Sequence, residues 1–124
     1  MVILDTTIFI EFLRASNKSK TTLYALIDTS PLSLSAVTFY ELLMGANSDS
    51  KKNDVRLLTD RMAILPFSDV VSAKAADIFH ELKKQNKLIE FRDLFIAATA
   101  ISTQLPLKTL NRKHFERVDG LILL

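Results

Sequence analysis

Three carboxylates stand where a carboxylate is expensive. Glu41 is the only charged side chain in Ala36-Val37-Thr38-Phe39-Tyr40-Glu41-Leu42-Leu43-Met44-Gly45-Ala46. Asp93 precedes Leu94-Phe95-Ile96-Ala97-Ala98-Thr99-Ala100-Ile101, and no further charge follows until Lys108. Asp5 closes the apolar run Val2-Ile3-Leu4 and is followed by Thr6-Thr7. An ionised carboxylate in such surroundings needs a partner. If the three converge, they raise one another's pKa unless a cation intervenes. Oxygen ligands suit Mg²⁺ and Mn²⁺. A bound divalent metal acidifies water and polarises a phosphoryl oxygen, so the implied chemistry is phosphodiester hydrolysis.

Each acid also has an ordinary reading. Asp5 could cap the first helix. Asp93 could sit in a first helical turn and favour the helix dipole. Glu41, mid-helix, could snorkel to solvent. The conjunction is more informative than any single residue, because all three follow or interrupt apolar elements of an α/β pattern.

Those elements are readable along the chain. Val2-Ile3-Leu4 is a short buried strand, and Ile8, Phe9, Phe12 and Leu13 recur at helical spacing after it. Lys18 to Asp28 reads as a second helix with Leu23, Leu26 and Ile27 on one stripe, ended by Pro31. Leu32-Ser33-Leu34-Ser35 alternates like a strand, and Ser35 or Thr38 can cap a helix running to about Gly45. Asp49 to Arg61 is a charged amphipathic helix with Val55, Leu57 and Leu58 expected inside. Ala63-Ile64-Leu65 is a third strand, and Ser68 caps a long helix to about Asn86. Its inward stripe is Val71, Ala75, Ile78, Phe79 and Leu82. Arg92 to Thr103 is an almost wholly apolar helix, Leu105-Pro106-Leu107-Lys108-Thr109 a turn then a strand, and Leu121-Ile122-Leu123 a last strand. Short apolar strands alternating with helices predict an α/β sandwich on a parallel sheet. Sites in such sheets form beyond the carboxyl ends of the strands, where Asp5 and Thr109 to Asn111 fall.

At this point the sequence resembles a known family. Leu4-Asp5-Thr6-Thr7, then Ser35-Ala36-Val37-Thr38-Phe39-Tyr40-Glu41-Leu42 with Gly45, then Arg92-Asp93-Leu94-Phe95-Ile96-Ala97-Ala98-Thr99-Ala100, then Thr109-Leu110-Asn111-Arg112-Lys113-His114-Phe115-Glu116-Arg117-Val118 with Gly120-Leu121 look like the four motif blocks of PIN-domain proteins. More narrowly they look like the VapC toxins of toxin–antitoxin pairs. The resemblance implies a PIN-like three-layer α/β/α sandwich with a short, mainly parallel central sheet. It also implies a Mg²⁺- or Mn²⁺-dependent endoribonuclease with Asp5, Glu41 and Asp93 as catalytic metal ligands. Thr6 matches the polar residue after the first Asp, and Asn111 the polar residue after the late strand. Many members carry a fourth acid a few residues further on; here His114 stands in that place, and the offset of Glu116 does not match. The implied partners are RNA, a VapB-like antitoxin and a second copy in a homodimer, with the protein in the cytoplasm.

His114 could be a metal ligand, a proton shuttle or a surface side chain beside Phe115. Asn111 is expected nearer the strand end and is expected to matter at least as much. Arg92, Arg112, Lys113 and Arg117 flank the blocks and could hold RNA phosphates, or stand as solvated charge. Phe9, Phe12, Leu13 and Leu23 are candidates for docking an antitoxin, for the core or for dimer contacts.

Composition sets the outer bounds. The 124 residues suit a single domain, 1–124, and 48% apolar content excludes disorder. With no cysteine there is no disulfide framework or thiolate zinc site. No apolar run approaches the ~20 residues that span a bilayer, and no signal peptide is legible. A net charge of +2 permits a nucleic-acid partner without requiring one. A dehalogenase-like phosphatase would need an Asp two residues after Asp5, where Thr7 stands. The remaining alternative is a PIN-fold domain that binds RNA or protein without cleaving it.

Overall fold

A computed structural model describes Met1–Leu124. Its elements run β1 (Val2–Leu4), α1 (Thr6–Arg14), a 3-10 turn (Lys18–Lys20), α2 (Thr22–Leu26), β2 (Leu32–Ser35), α3 (Ala36–Gly45), α4 (Asp49–Thr59), β3 (Ala63–Leu65), α5 (Asp69–Lys84), α6 (Phe91–Thr103), β4 (Leu107–Lys108) and α7 (Arg112–Phe115). The four strands form one sheet in the order β3-β2-β1-β4, parallel throughout.

The alternation of side chains along β1 builds the three layers. Val2 and Leu4 enter a core with Ile8, Phe9, Leu23, Leu34, Leu42 and Val55, the helices of the first half. Ile3, between them, faces the opposite way, into a core with Val71, Ile78, Leu82, Ile96 and Phe115. Successive strand residues point to opposite faces, so three residues suffice to hold two helical layers. Ser33 interrupts the apolar run of β2, yet it is buried without cost because its hydroxyl donates to the Val2 carbonyl at 3.0 Å.

The chain runs from β1 outward to β2 and β3, then returns across the sheet to place β4 on the far side of β1. That reversal makes the carboxyl ends of β1 and β4 the switch point of the sheet, the usual place for a site. Asp5 follows β1 there, and its N–H donates to the Lys108 carbonyl at 2.9 Å.

Four sequence expectations need correction. The segment from Lys18 is not one helix, because Asn17 caps a 3-10 turn and Thr21 then caps the short α2. Leu57 is 68% exposed; it lies two residues from buried Val55, about 200° around the helix. Phe79 turns partly outward for a similar reason, one residue past buried Ile78. The segment 121–123 forms only an isolated bridge from Leu123 to Leu107, since β4 offers just two residues for pairing.

Candidate active site

Asp5 does not cap α1 with its side chain. The carboxylate is 3% exposed and accepts two hydroxyls on one oxygen: Thr7 Oγ1 at 2.8 Å and Thr109 Oγ1 at 2.6 Å, both on Oδ2. Each hydroxyl is in turn held by a backbone N–H of the β4–α7 loop, Leu110 on Thr7 at 3.2 Å and Asn111 on Thr109 at 2.9 Å. Oδ1 accepts no hydrogen bond. The carboxylate is therefore oriented through one oxygen, and the other has no hydrogen-bond partner.

Glu41 is placed by α3. Ser35 caps this helix by accepting the Thr38 N–H at 3.0 Å, and Thr38 lies one turn before Glu41 on the same face. Thr6 Oγ1 lies 2.9 Å from Glu41 Oε1 and 3.0 Å from Thr38 Oγ1. Thr6 has one hydroxyl hydrogen, and the carboxylate is the stronger acceptor, so Thr6 donates to Glu41 and accepts from Thr38. The other oxygen, Oε2, accepts from Arg92 Nη1 at 3.3 Å. Glu41 does not snorkel freely; its side chain is 15% exposed and held at both oxygens.

Asp93 stands in the first turn of α6, where the helix dipole favours its charge. Burial nevertheless raises its pKa above the ordinary value, and the nearby charge of Asp5 raises it further. A hydrogen bond from His114, Nδ1 to Oδ2 at 3.0 Å, offsets part of that shift. The acceptor is a carboxylate, so Nδ1 carries the hydrogen.

The structure thus brings Asp5, Thr6, Glu41, Asp93 and His114 to one edge of the sheet. Asn111 contributes its backbone N–H, while its side chain is exposed and makes no hydrogen bond. Arg112 donates to the Leu124 carbonyl rather than to any acid. Sequence reasoning missed the roles of Thr7 and Thr109 on Asp5, Thr38 beneath Thr6, and Arg92 on Glu41. The available signal for Thr109 was its place at the carboxyl end of an expected strand, where sites of parallel sheets form.

The donor chemistry suits a hard divalent cation: carboxylate oxygens, one carboxylate pre-oriented with its second oxygen free of hydrogen bonds, and a like-charge repulsion between Asp5 and Asp93 that a cation would relieve. No three acidic or imidazole groups stand close enough to form a ready-made ligand set. Arg92 and His114 hold two of the acids.

Comparison with known proteins bears on the family and the fold. The PIN domain family model matches residues 2–121. The chain belongs to the PIN-domain family. Among curated PIN-domain relatives, Ribonuclease VapC2 of Haemophilus influenzae is 37% identical over 92 residues, covering 71% of this chain and 70% of that protein. Ribonuclease VapC1 of Methanocaldococcus jannaschii is 26% identical over 117 residues, covering 94% and 80%. Among solved structures, VapBC-1 from nontypeable Haemophilus influenzae superposes with a TM-score of 0.88 at 28% identity, covering 100% of this chain and 97% of that one. VapBC2 from Rickettsia felis, bound to a DNA fragment from its promoter, gives 0.83 at 27% identity, covering 100% and 98%. The three-layer PIN-like sandwich expected from the sequence is the fold observed, with a sheet wholly rather than mainly parallel.

Proposed function

We propose that this PIN domain is a metal-dependent endoribonuclease and the toxic member of a toxin–antitoxin pair. The observation that carries the reading is the like-charge interaction of Asp5 and Asp93 beyond the carboxyl ends of the strands, with Asp5 gripped through a single oxygen and Glu41 tied to the adjoining Thr6. Relatives named as VapC ribonucleases support the reaction class. Asp5, Glu41 and Asp93 would hold Mg²⁺ or Mn²⁺, which when bound supplies a Lewis acid and an acidified water. The chain's own groups prepare this. Thr7 and Thr109 fix the direction of Asp5, Thr6 aligns Glu41, and His114 restrains Asp93.

Solved relatives titled as VapBC complexes support a VapB-like antitoxin as partner. The cleft that would receive it has a volume near 410 Å³ and runs from Ile10, Leu13 and Arg14 past Glu41 to Lys51 and Val55. Phe9 and Leu23 are fully buried and therefore belong to the core rather than to this surface, while Phe12 and Leu13 are only partly buried. A guanidinium from the partner would suit Glu41 in the cleft wall. A homodimer would cover the apolar face formed by Tyr40, Met44, Phe67 and Phe91, each at least 40% exposed. No helix is long and apolar enough to cross a membrane. Action in the cytoplasm suits a chain without cysteine.

One observation favours a second reading. Two of the acids already have protein partners, Glu41 the Arg92 guanidinium and Asp93 the His114 ring, which would suit a domain that binds RNA or protein without cutting. Expression separates the two. The chain produced alone should arrest growth, co-expression of a neighbouring antitoxin should rescue it, and Asp5→Asn should make the rescue unnecessary. A folded, Mn²⁺-binding wild-type chain that is harmless alone would favour the second reading.

A further inference from the structure

We propose that Arg92 alternates between two partners: it neutralises Glu41 when the metal is absent, and the metal releases it to bind the RNA backbone. The proposal rests on the metal-dependent reading above. Arg92 immediately precedes Asp93 in the first turn of α6, and its Nη1 lies 3.3 Å from Glu41 Oε2. The side chain is 44% exposed, whereas Glu41 is 15% exposed, so the guanidinium covers the acid from the solvent side. A metal on Glu41 would compete with this contact and repel the guanidinium. The ion pair is exposed enough to be weak, so release costs little.

Released, Arg92 has few other places to go. The remaining carboxylate within reach is Glu90, 4.0 Å away and 74% exposed, a pair largely screened by water. The guanidinium also lies 5.8 Å from the centre of the Phe91 ring, which keeps the arm beside the acids. A positive fork at the mouth of a loaded acidic site is placed to bind a phosphate adjacent to the one being attacked. Arginine does this bidentately; lysine does not. The arm would thereby couple metal loading to RNA affinity.

Arg92→Gln and Arg92→Lys test this, since the side chain is exposed and circular dichroism can verify the fold. Mn²⁺ binding is measured by calorimetry without RNA. RNA binding is measured by fluorescence anisotropy on a mixed-sequence RNA oligonucleotide, with Ca²⁺ replacing Mn²⁺ to suppress cleavage. Arg92→Gln should bind Mn²⁺ roughly three- to tenfold more tightly and RNA roughly three- to tenfold more weakly. Arg92→Lys should keep near wild-type Mn²⁺ affinity, because the charge remains, and still lose RNA affinity. Opposite signs in one variant are the signature; a merely structural role would weaken both. Unchanged Mn²⁺ affinity, unchanged RNA affinity, or weakening of both in Arg92→Gln overturns the exchange. Wild-type protein that binds no Mn²⁺ overturns the metal-dependent reading itself, and the exchange with it; wild type that binds Mn²⁺ but no RNA overturns the exchange alone.

Discussion

The hydroxyl of Thr109 lies 2.6 Å from Oδ2 of Asp5, across 104 residues of sequence. It joins the end of β4 to the end of β1 at the switch point of the sheet. Because Thr109 is itself held by the Asn111 N–H, the loop after β4 sets the direction of the first acid. Thr109→Val keeps the shape and removes the hydroxyl. It should lower metal-dependent cleavage and Mn²⁺ affinity by roughly tenfold, the usual scale for a group that orients a ligand. Thr109→Ser should restore most of both. Calorimetric titration with Mn²⁺ checks this, and a Val variant that binds Mn²⁺ like wild type refutes the orienting role.

The hydrogen bonds of His114 and Asn111 favour the opposite of the ranking expected from sequence. The His114 ring holds Asp93 at 3.0 Å, while the Asn111 side chain holds nothing. His114→Ala should therefore reduce cleavage more than Asn111→Ala, without abolishing it, since carboxylates and water can complete an octahedral Mg²⁺. Initial rates of both variants at saturating Mg²⁺ decide the order. A larger loss in Asn111→Ala would show that its side chain reaches the substrate.

The raised pKa of Asp93 has a signed consequence for the metal-free protein. Burial and Asp5 make the folded state prefer the protonated acid. Stability from this group is fully present below the unfolded value of 3.8 and is lost as pH rises through the raised folded value. Asp93→Asn removes the dependence. In chelator, urea unfolding should show the variant gaining on wild type between pH 4 and pH 7. A constant difference across that range would mean that His114 fully compensates the burial.

Ser35 links fold and site. Its Oγ caps α3 and meets Thr38, which in turn supports Thr6 and Glu41. Ser35→Ala should cost about 1 kcal/mol of stability, the ordinary value of a lost cap. It should also reduce cleavage severalfold by loosening Glu41. Paired unfolding and rate measurements test this; loss of stability with unchanged kcat would confine Ser35 to the helix.

The strands and most helices were legible because apolar periodicity encodes them directly. Val2-Ile3-Leu4 announced a buried strand, and its alternation split the core between two helical layers. Leu57 and Phe79 were misplaced because a hydrophobic residue beside the buried stripe looks the same in sequence as one within it. The segment 121–123 looked like a strand, but pairing depends on what lies opposite, and β4 is only two residues long. The acids were visible by their apolar setting. Their companions were not, because Thr109 meets Asp5 and Arg92 meets Glu41 only through tertiary contacts.

The most direct measurement is RNA cleavage by purified protein, with and without Mg²⁺ or Mn²⁺, for wild type, Asp5→Asn, Glu41→Gln and Asp93→Asn. Wild type should cut only with metal. Each variant should lose activity by at least about a hundredfold while remaining folded, and in chelator Asp5→Asn and Asp93→Asn should be as stable as wild type or more so as the repulsion between these two acids is relieved. Metal-independent cleavage, or full activity in any one of the three variants, would contradict a shared metal site at Asp5, Glu41 and Asp93.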